Sequence, residues 1–324
     1  MTRWSLLAGV LAVVMLAGCD VSVPGSAMVG PAVPPVAANT PLTAGVFGPD
    51  ASTVDPCSLV AIGELPLYLD ATARPADGFD DCPLSVTQRD GTQVDVSVGP
   101  LETRADEPFL QLRQAATLPN GMTLVTDASN SPGFCSDYMR FTDGLLLAVS
   151  ATAVDTPSTA DVCPAAEALA RNAAAAISAG SVSHVRYSTG SLGRLDPCQL
   201  VTADTLTAAG LIGASPIPYP QHHQCDWTSP TDSGTTLRLA FYVDTPPQVT
   251  DATTDTASQI AGRPSVITKL EGICLVTTGL NAASSGNRVE VASVDVDTTA
   301  TSTVDGCTAS QVVAAALWPK LPGS

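Results

Sequence analysis

The sequence predicts an α+β protein of two repeated domains, each an antiparallel sheet with flanking N- and C-terminal helices, stapled by two disulfides. Three observations predict it. Eight cysteines fall into two quartets: Cys57, Cys82, Cys135 and Cys163 are spaced by 25, 53 and 28 residues, and Cys198, Cys225, Cys274 and Cys307 by 27, 49 and 33. Segments of alternating apolar and polar residues, the period of a half-buried strand, fill the space after the second cysteine of each quartet. Helix-start chemistry precedes each quartet, and an Ala-rich helical segment follows its last cysteine.

The chain opens with a leader. Arg3 supplies a positive start, Leu6 to Leu16 an apolar run, and Leu16-Ala17-Gly18-Cys19 a small-residue end. This is the grammar of a signal peptide over residues 1–18, and the apolar run is shorter than the ~20 residues a spanning helix needs. Residues 19–53 contain Pro24, Pro31, Pro34, Pro35, Pro41 and Pro49 among Gly, Ala, Ser and Val, with no visible period. They read as a flexible tether of about 30 Å mean reach if coil-like.

The first four-cysteine domain is expected over 54–179, a linker over 180–194, and the second domain over 195–324. The flanks of the cysteines agree between halves. Asp55-Pro56-Cys57-Ser58-Leu59-Val60 matches Asp196-Pro197-Cys198-Gln199-Leu200-Val201. Gly133 and Gly272 each lie two residues before the third cysteine, and Asp161 and Asp305 two before the fourth. So many registered matches indicate an internal duplication.

Within a repeat, Asp-Pro-Cys starts a short helix: Asp caps free amides, Pro fits the first helical position, and Gln199 completes a capping box. Strands are expected at 94–98 and 237–241, more weakly at 124–125 and 266–267, then at 145–149 and 289–291. The closing helices are expected at 164–178 and 308–317. An even number of cysteines in an exported chain indicates disulfides, and four cysteines permit three pairings per repeat. The pairing favoured is Cys57–Cys82, Cys135–Cys163, Cys198–Cys225 and Cys274–Cys307, which closes the shortest loops; the crossed pairings stay open. Each bridge contributes about 3–4 kcal/mol by loop entropy.

Composition narrows the function. Of 324 residues 45% are hydrophobic but only 4% aromatic, so the core is aliphatic. A net charge of −17 argues against nucleic acid and against electrostatic docking on anionic lipid. The acidic residues are scattered, as for solubility. The catalytic motifs sought are missing: no G-x-S-x-G elbow, no Gly-rich phosphate loop and no C-x-x-C pair occurs in the sequence. His222-His223-Gln224-Cys225-Asp226 is the densest set of metal-ligand residue types. Cys225 has a repeat counterpart in Cys82, though, and nothing at 78–81 matches the two histidines, so they read as loop residues. His184 falls in the linker. Asp295, Asp297 and Asp305 fail the calcium-loop pattern, with Ala300 and Gly306 where Gly and Glu are required. Asp80-Asp81 reads as a turn, Trp227 as packing on a disulfide, and Trp318 as closing the core under the last helix. No catalytic, cofactor or metal residue is expected, and no enzyme activity.

The Leu-Ala-Gly-Cys ending resembles the lipobox of bacterial lipoproteins. That resemblance implies cleavage before Cys19 and lipidation of its thiol, hence a membrane-anchored protein on the extracytoplasmic face. Behind the lipobox, D-P-C-x-L, then C-x-W, then two more cysteines resemble actinobacterial, mycobacterial-type envelope lipoproteins of unknown function. The pattern is also similar to the extracellular sensor domain of a mycobacterial receptor Ser/Thr kinase. The resemblance covers 54–179 and 195–321, and the first domain departs from it with Leu84 where Trp stands in the pattern. It implies a sheet with helices and a cleft, and supplies no site residues. The expected function is a binding or sensing module for an envelope ligand: a lipid, a glycan or a protein. The alternative is a structural or assembly lipoprotein that scaffolds envelope complexes.

Overall fold

A computed structural model of the chain describes residues 28–29, 37, 40–65, 68–74, 78–88, 90–103, 111–154, 159–232, 234–282 and 287–323. Cys19 and the leader lie outside the described residues.

Two seven-stranded antiparallel sheets form the body. The first contains β1 (Tyr68–Ala73), β2 (Cys82–Gln88), β3 (Gln93–Glu102), β4 (Leu112–Thr117), β5 (Thr123–Asp127), β6 (Phe134–Arg140) and β7 (Leu146–Ala153). Its spatial order is β1-β2-β3-β7-β6-β5-β4. The second contains β8 (Ser215–Pro218), β9 (Gln224–Thr228), β10 (Thr235–Asp244), β11 (Asp255–Ile260), β12 (Arg263–Leu270), β13 (Ile273–Ala282) and β14 (Val289–Thr298). Its order, β8-β9-β10-β14-β13-β12-β11, is the same topology. In each, three strands run as a meander, the chain crosses to the far edge, and four strands return until the last pairs with the third.

Alternation places the core. In β3, Val94, Val96 and Val98 are buried while Asp95 and Ser97 point to the other face, and Val96 lies opposite Leu84 on one side and Ala151 on the other. In β10, Leu237, Leu239 and Phe241 do the same. Each core face is covered by one long helix. α1 (Cys163–Ser178) buries Ala165, Ala166, Leu169, Ala170, Ala173 and Ile177 among others, a stripe at helical spacing made mostly of alanines that let backbone approach sheet closely. α4 (Gly306–Leu317) buries Ala309, Val313, Ala314 and Leu317, and Asp305 caps it by accepting from the Thr308 amide at 2.7 Å.

The Asp-Pro-Cys segments are shorter than a helix implies. Residues Pro56–Leu59 make one 3-10 turn, and α2 (Pro197–Leu200) one α turn, followed by a separate α3 (Ala203–Ala208). Asp55 and Asp196 accept from the Cys57 and Cys198 amides at 3.1 and 2.9 Å, as expected of caps. Gln199 donates to the Asp196 carboxylate at 2.9 Å rather than closing a reciprocal capping box. Val60 and Val201, both extended, end the turns.

The four disulfides are Cys57–Cys82, Cys135–Cys163, Cys198–Cys225 and Cys274–Cys307. In each sheet one bridge ties the Asp-Pro-Cys turn to the second strand, and the other ties the strand carrying the third cysteine to the long helix. Trp227 is 1% exposed beside the buried Cys225, and Trp318 is fully buried, its indole N–H donating to Ser265 Oγ at 3.0 Å.

The tether read from composition runs to residue 53, but its last part is folded. Leu42, Val46, Phe47 and Val54 are buried in the first core, Phe47 edge-on to Phe141 at 5.3 Å. The expected linker is held at both ends, with Val182 buried in the first core and Leu192 in the second. A two-residue ladder joins Met28–Val29 to Val185–Arg186.

Candidate functional site

The second cysteine of each quartet opens an inner strand, so the residues just before it sit at a sheet end, and there the two halves meet. Phe79 and Asp80 precede Cys82, while Gln221 and His223 precede Cys225. Asp80 and His223 each lie two residues before their cysteine, which makes them equivalent positions, and they contact each other: His223 Nδ1 is 2.5 Å from Asp80 Oδ1. The other ring nitrogen, Nε2, is 3.1 Å from the Gly193 carbonyl. A second equivalent pair, the 3-10 turns Ala51–Thr53 and Leu192–Arg194, also touch. Like elements facing like elements is the arrangement of a twofold interface, here between two halves of one chain.

The contact is buried and doubly anchored. His223 is 1% exposed. Its ring lies 4.9 Å from Phe79 and 5.8 Å from Tyr187, which meets it edge-on. Phe79 belongs to the core of the second sheet although the first half supplies it. The Gln221 side chain spans the boundary, accepting from the Leu101 amide at 2.6 Å and donating to the Asp80 carbonyl at 3.4 Å. The bulge in β3 between Val98 and Leu101 presents that amide. Gly99, at φ 105°, is required there, because a Cβ would run into the Asp80 carbonyl. On the other side of the contact, Glu290 is 1% exposed and accepts from Ser191 Oγ at 2.5 Å and the Leu192 amide at 2.8 Å, which fixes the 191–194 turn on the second sheet.

Beside this contact lies a cavity of about 270 Å³ walled by both halves. Asp80, Asp81 and Leu101 come from the first, and Tyr219, Phe241 and Tyr242 from the second. A larger groove, about 520 Å³, runs along the outer face of α1 between Glu64 and Ala175. Of its charged groups, Glu167 and Arg171 are paired with each other at 2.6 Å and Glu64 stands apart from that pair, and the groove belongs to one half. The cavity between the halves has the polar and aromatic groups that converge, and sites favour such boundaries.

The electrostatics are acidic. Burial opposes a charge on His223, but the Asp80 carboxylate and the Gly193 carbonyl outweigh it and raise its pKa above the ordinary value. Burial, with Asp80 next, pushes the Tyr187 phenol up. Burial and then Asp244 push the Tyr242 phenol up to about 12. Below the cavity, Arg238 holds Asp226 with two hydrogen bonds of 3.2 Å, and that pairing overcomes burial to hold the guanidinium charged. Asp295 lies opposite Arg238 in the ladder and is raised to about 6, by burial first and by Asp297 second.

The structure disperses the cluster that most resembled a metal site. Cys225 is in a disulfide, His223 turns to Asp80, Asp226 to Arg238, and His222 takes a φ of 58° with its ring 3.5 Å from Asp196. Among the described residues no three His, Cys, Asp or Glu side chains are arranged to hold a metal. The loop reading fits His222 and misses the buried role of His223. Asp80, read as part of a turn, is likewise its partner. The signal available was their shared position before Cys82 and Cys225. His184 accepts or donates to Thr53 Oγ1 at 2.8 Å and bridges Val54, so it fastens the linker to the first half. Asp297 lies on β14 and Asp305 caps α4. No helix among the described residues is long and apolar enough to cross a membrane.

No family model, curated protein or solved structure matches the chain.

Proposed function

We propose that the chain is a lipid-anchored, extracytoplasmic binding or sensing module, built from two repeated domains that each carry flanking helices and two disulfides, with its ligand held in the cavity between them. The observation that carries the reading is that cavity: both halves wall it, and carboxylates, phenols and apolar side chains converge on it. The lipobox at Cys19 supports the anchor, since two or more acyl chains hold a protein stably to a membrane. The ligand is an envelope lipid fragment, glycan fragment or small metabolite, because 270 Å³ is just under the ~300–1,000 Å³ of sites for drug-sized molecules.

Native mass spectrometry tests this on the mature chain with Cys19→Ser, secreted behind a conventional leader and exposed to envelope extract. A discrete added mass that disappears in Tyr242→Ala is expected. A bare mass at every extract concentration overturns the small-ligand reading.

A second reading, a scaffold for envelope proteins, draws on a different observation. Phe134 and Ile273 stand immediately before the third cysteine of each half and are 42% and 37% exposed. Apolar side chains exposed at equivalent points suit protein contacts. Crosslinking in intact cells that yields the same partners for wild type but not for Phe134→Ser with Ile273→Ser supports it.

A further inference from the structure

The boundary between the halves contains a single buried imidazole with an acceptor at each nitrogen. A neutral imidazole carries one N–H and leaves the other nitrogen as a lone pair. Here Nδ1 faces the Asp80 carboxylate at 2.5 Å and Nε2 faces the Gly193 carbonyl at 3.1 Å, and neither partner donates. Only the doubly protonated ring satisfies both. Its positive charge also sits 4.9 Å from the tilted ring of Phe79, whose π-system favours a cation.

We propose that the proton on His223 is the clamp between the two halves: the imidazolium, carried by the second half and donating to Asp80 of the first and to Gly193 of the connecting segment, holds the cavity closed, and its loss lets the halves part. The inference concerns regulation of the site proposed above and rests on that reading only for its consequence for a ligand.

The surroundings set the direction. The ionisable groups on the elements packed around the ring are Asp50 and Asp55 before the first sheet, Asp80 and Asp81 before β2, and Tyr187, Arg194 and Asp196 in the connecting segment. From the second sheet come Tyr219, Asp226, Tyr242 and Glu290. His222 adjoins the ring and lies 3.5 Å from Asp196, and Arg238 is engaged by Asp226, so with Arg194 the basic groups are outnumbered by the carboxylates and the field favours the protonated ring. The phenols of Tyr187 and Tyr242 are pushed up and stay neutral until strongly alkaline pH. A group that binds its proton more tightly when the halves are closed contributes fully below its ordinary pKa near 6.5 and is lost as pH rises through its raised value. The clamp is therefore set at acid and neutral pH and released by alkali.

Two amides read the state of the boundary. Leu101 N–H donates across it to Gln221, and Phe241 N–H donates to the carbonyl of His223 itself at 2.8 Å. The experiment is NMR on the mature, unlipidated chain without ligand, following the His223 ring nitrogens and hydrogen exchange at these two amides from pH 5 to 10. Amides in β7 and β14 serve as internal references. The expected result is imidazolium shifts at both nitrogens through neutral pH. Protection of the two amides relative to the references should then fall by up to about tenfold per pH unit above 6.5 and level off beyond the raised pKa. Asp80→Asn, which retains a hydrogen-bonding partner but removes the charge, should move the transition to lower pH. A ring that titrates at its ordinary value, or protection independent of pH and unchanged in Asp80→Asn, overturns the clamp. The measurement contains no ligand, so it stands or falls apart from the binding result. A clamp without added mass in the spectrometer sinks only the binding reading, and added mass without a clamp sinks only this one.

Discussion

Charge taken wholly or partly out of water is the residue-scale theme, and three carboxylates meet it differently. Glu290 is compensated by two short hydrogen bonds, and Asp80 by an imidazole. Asp295 has neither: its Oδ1 is buried without a hydrogen-bond partner, and Arg238 opposite is already engaged by Asp226. A desolvated carboxyl with weak compensation keeps its proton, which is why its pKa rises from 3.8 to about 6. The folded protein thus binds this proton more tightly than the unfolded chain, and stability falls as pH rises from about 4 through 6. Asp295→Asn removes the penalty at nearly constant shape. Its melting temperature should exceed that of wild type at pH 7, and the difference should vanish near pH 4. An equal gain at both pH values would show that titration is not the cause.

At the scale of the element, helix ends and strand edges explain what forms where. α4 runs for 12 residues, and its first turn depends on Asp305, whose carboxylate accepts from the Thr308 amide and is thereby held below the ordinary carboxylate range. Asp305→Ala should cost about 1 kcal/mol, read from denaturant midpoints at pH 7. The inner strands were legible because one face of each must be apolar: the expected segments 94–98 and 237–241 fall inside β3 and β10, and 145–149 overlaps β7. The expected helices at 164–178 and 308–317 fall inside α1 and α4. The edge strands were not legible. β4 is mostly exposed, and β8 has two prolines in four residues. An edge strand pairs on one side only and tolerates both, so it leaves no alternation to read.

For the whole molecule, the question is whether the halves behave as one body. Phe79 is chained to the first sheet but buried in the second core, and Gln221 reaches back to the Leu101 amide. Contacts exchanged in both directions couple the unfolding of each half to the other. Calorimetry should show one transition for the wild type. Phe79→Ala removes an aromatic from the second core, an ~3–5 kcal/mol loss typical of such changes, and should split the transition or lower one part of it first. Two resolved transitions already in the wild type would show that the exchanged contacts are too weak to couple the halves.

The sequence by itself carried the repeated cysteine register, the inner strands and the closing helices, together with the expectation of a leader and of lipidation at Cys19. These are local or periodic: a cap, an apolar run or an alternation is written in neighbouring residues. The pairing of the cysteines was favoured by loop length, and the structure adopts that pairing. Only the tertiary structure decided that residues 42–54 belong to the first core, that the Asp-Pro-Cys helices stop after one turn, and that His223 faces Asp80. Those depend on which surfaces meet across 143 positions of chain. Two loops that look unrelated, Phe79-Asp80-Asp81 and His222-His223-Gln224, come together because the duplicated halves face one another at equivalent ends. A carboxylate at one copy of the position and an imidazole at the other then make a pair that neither repeat contains alone.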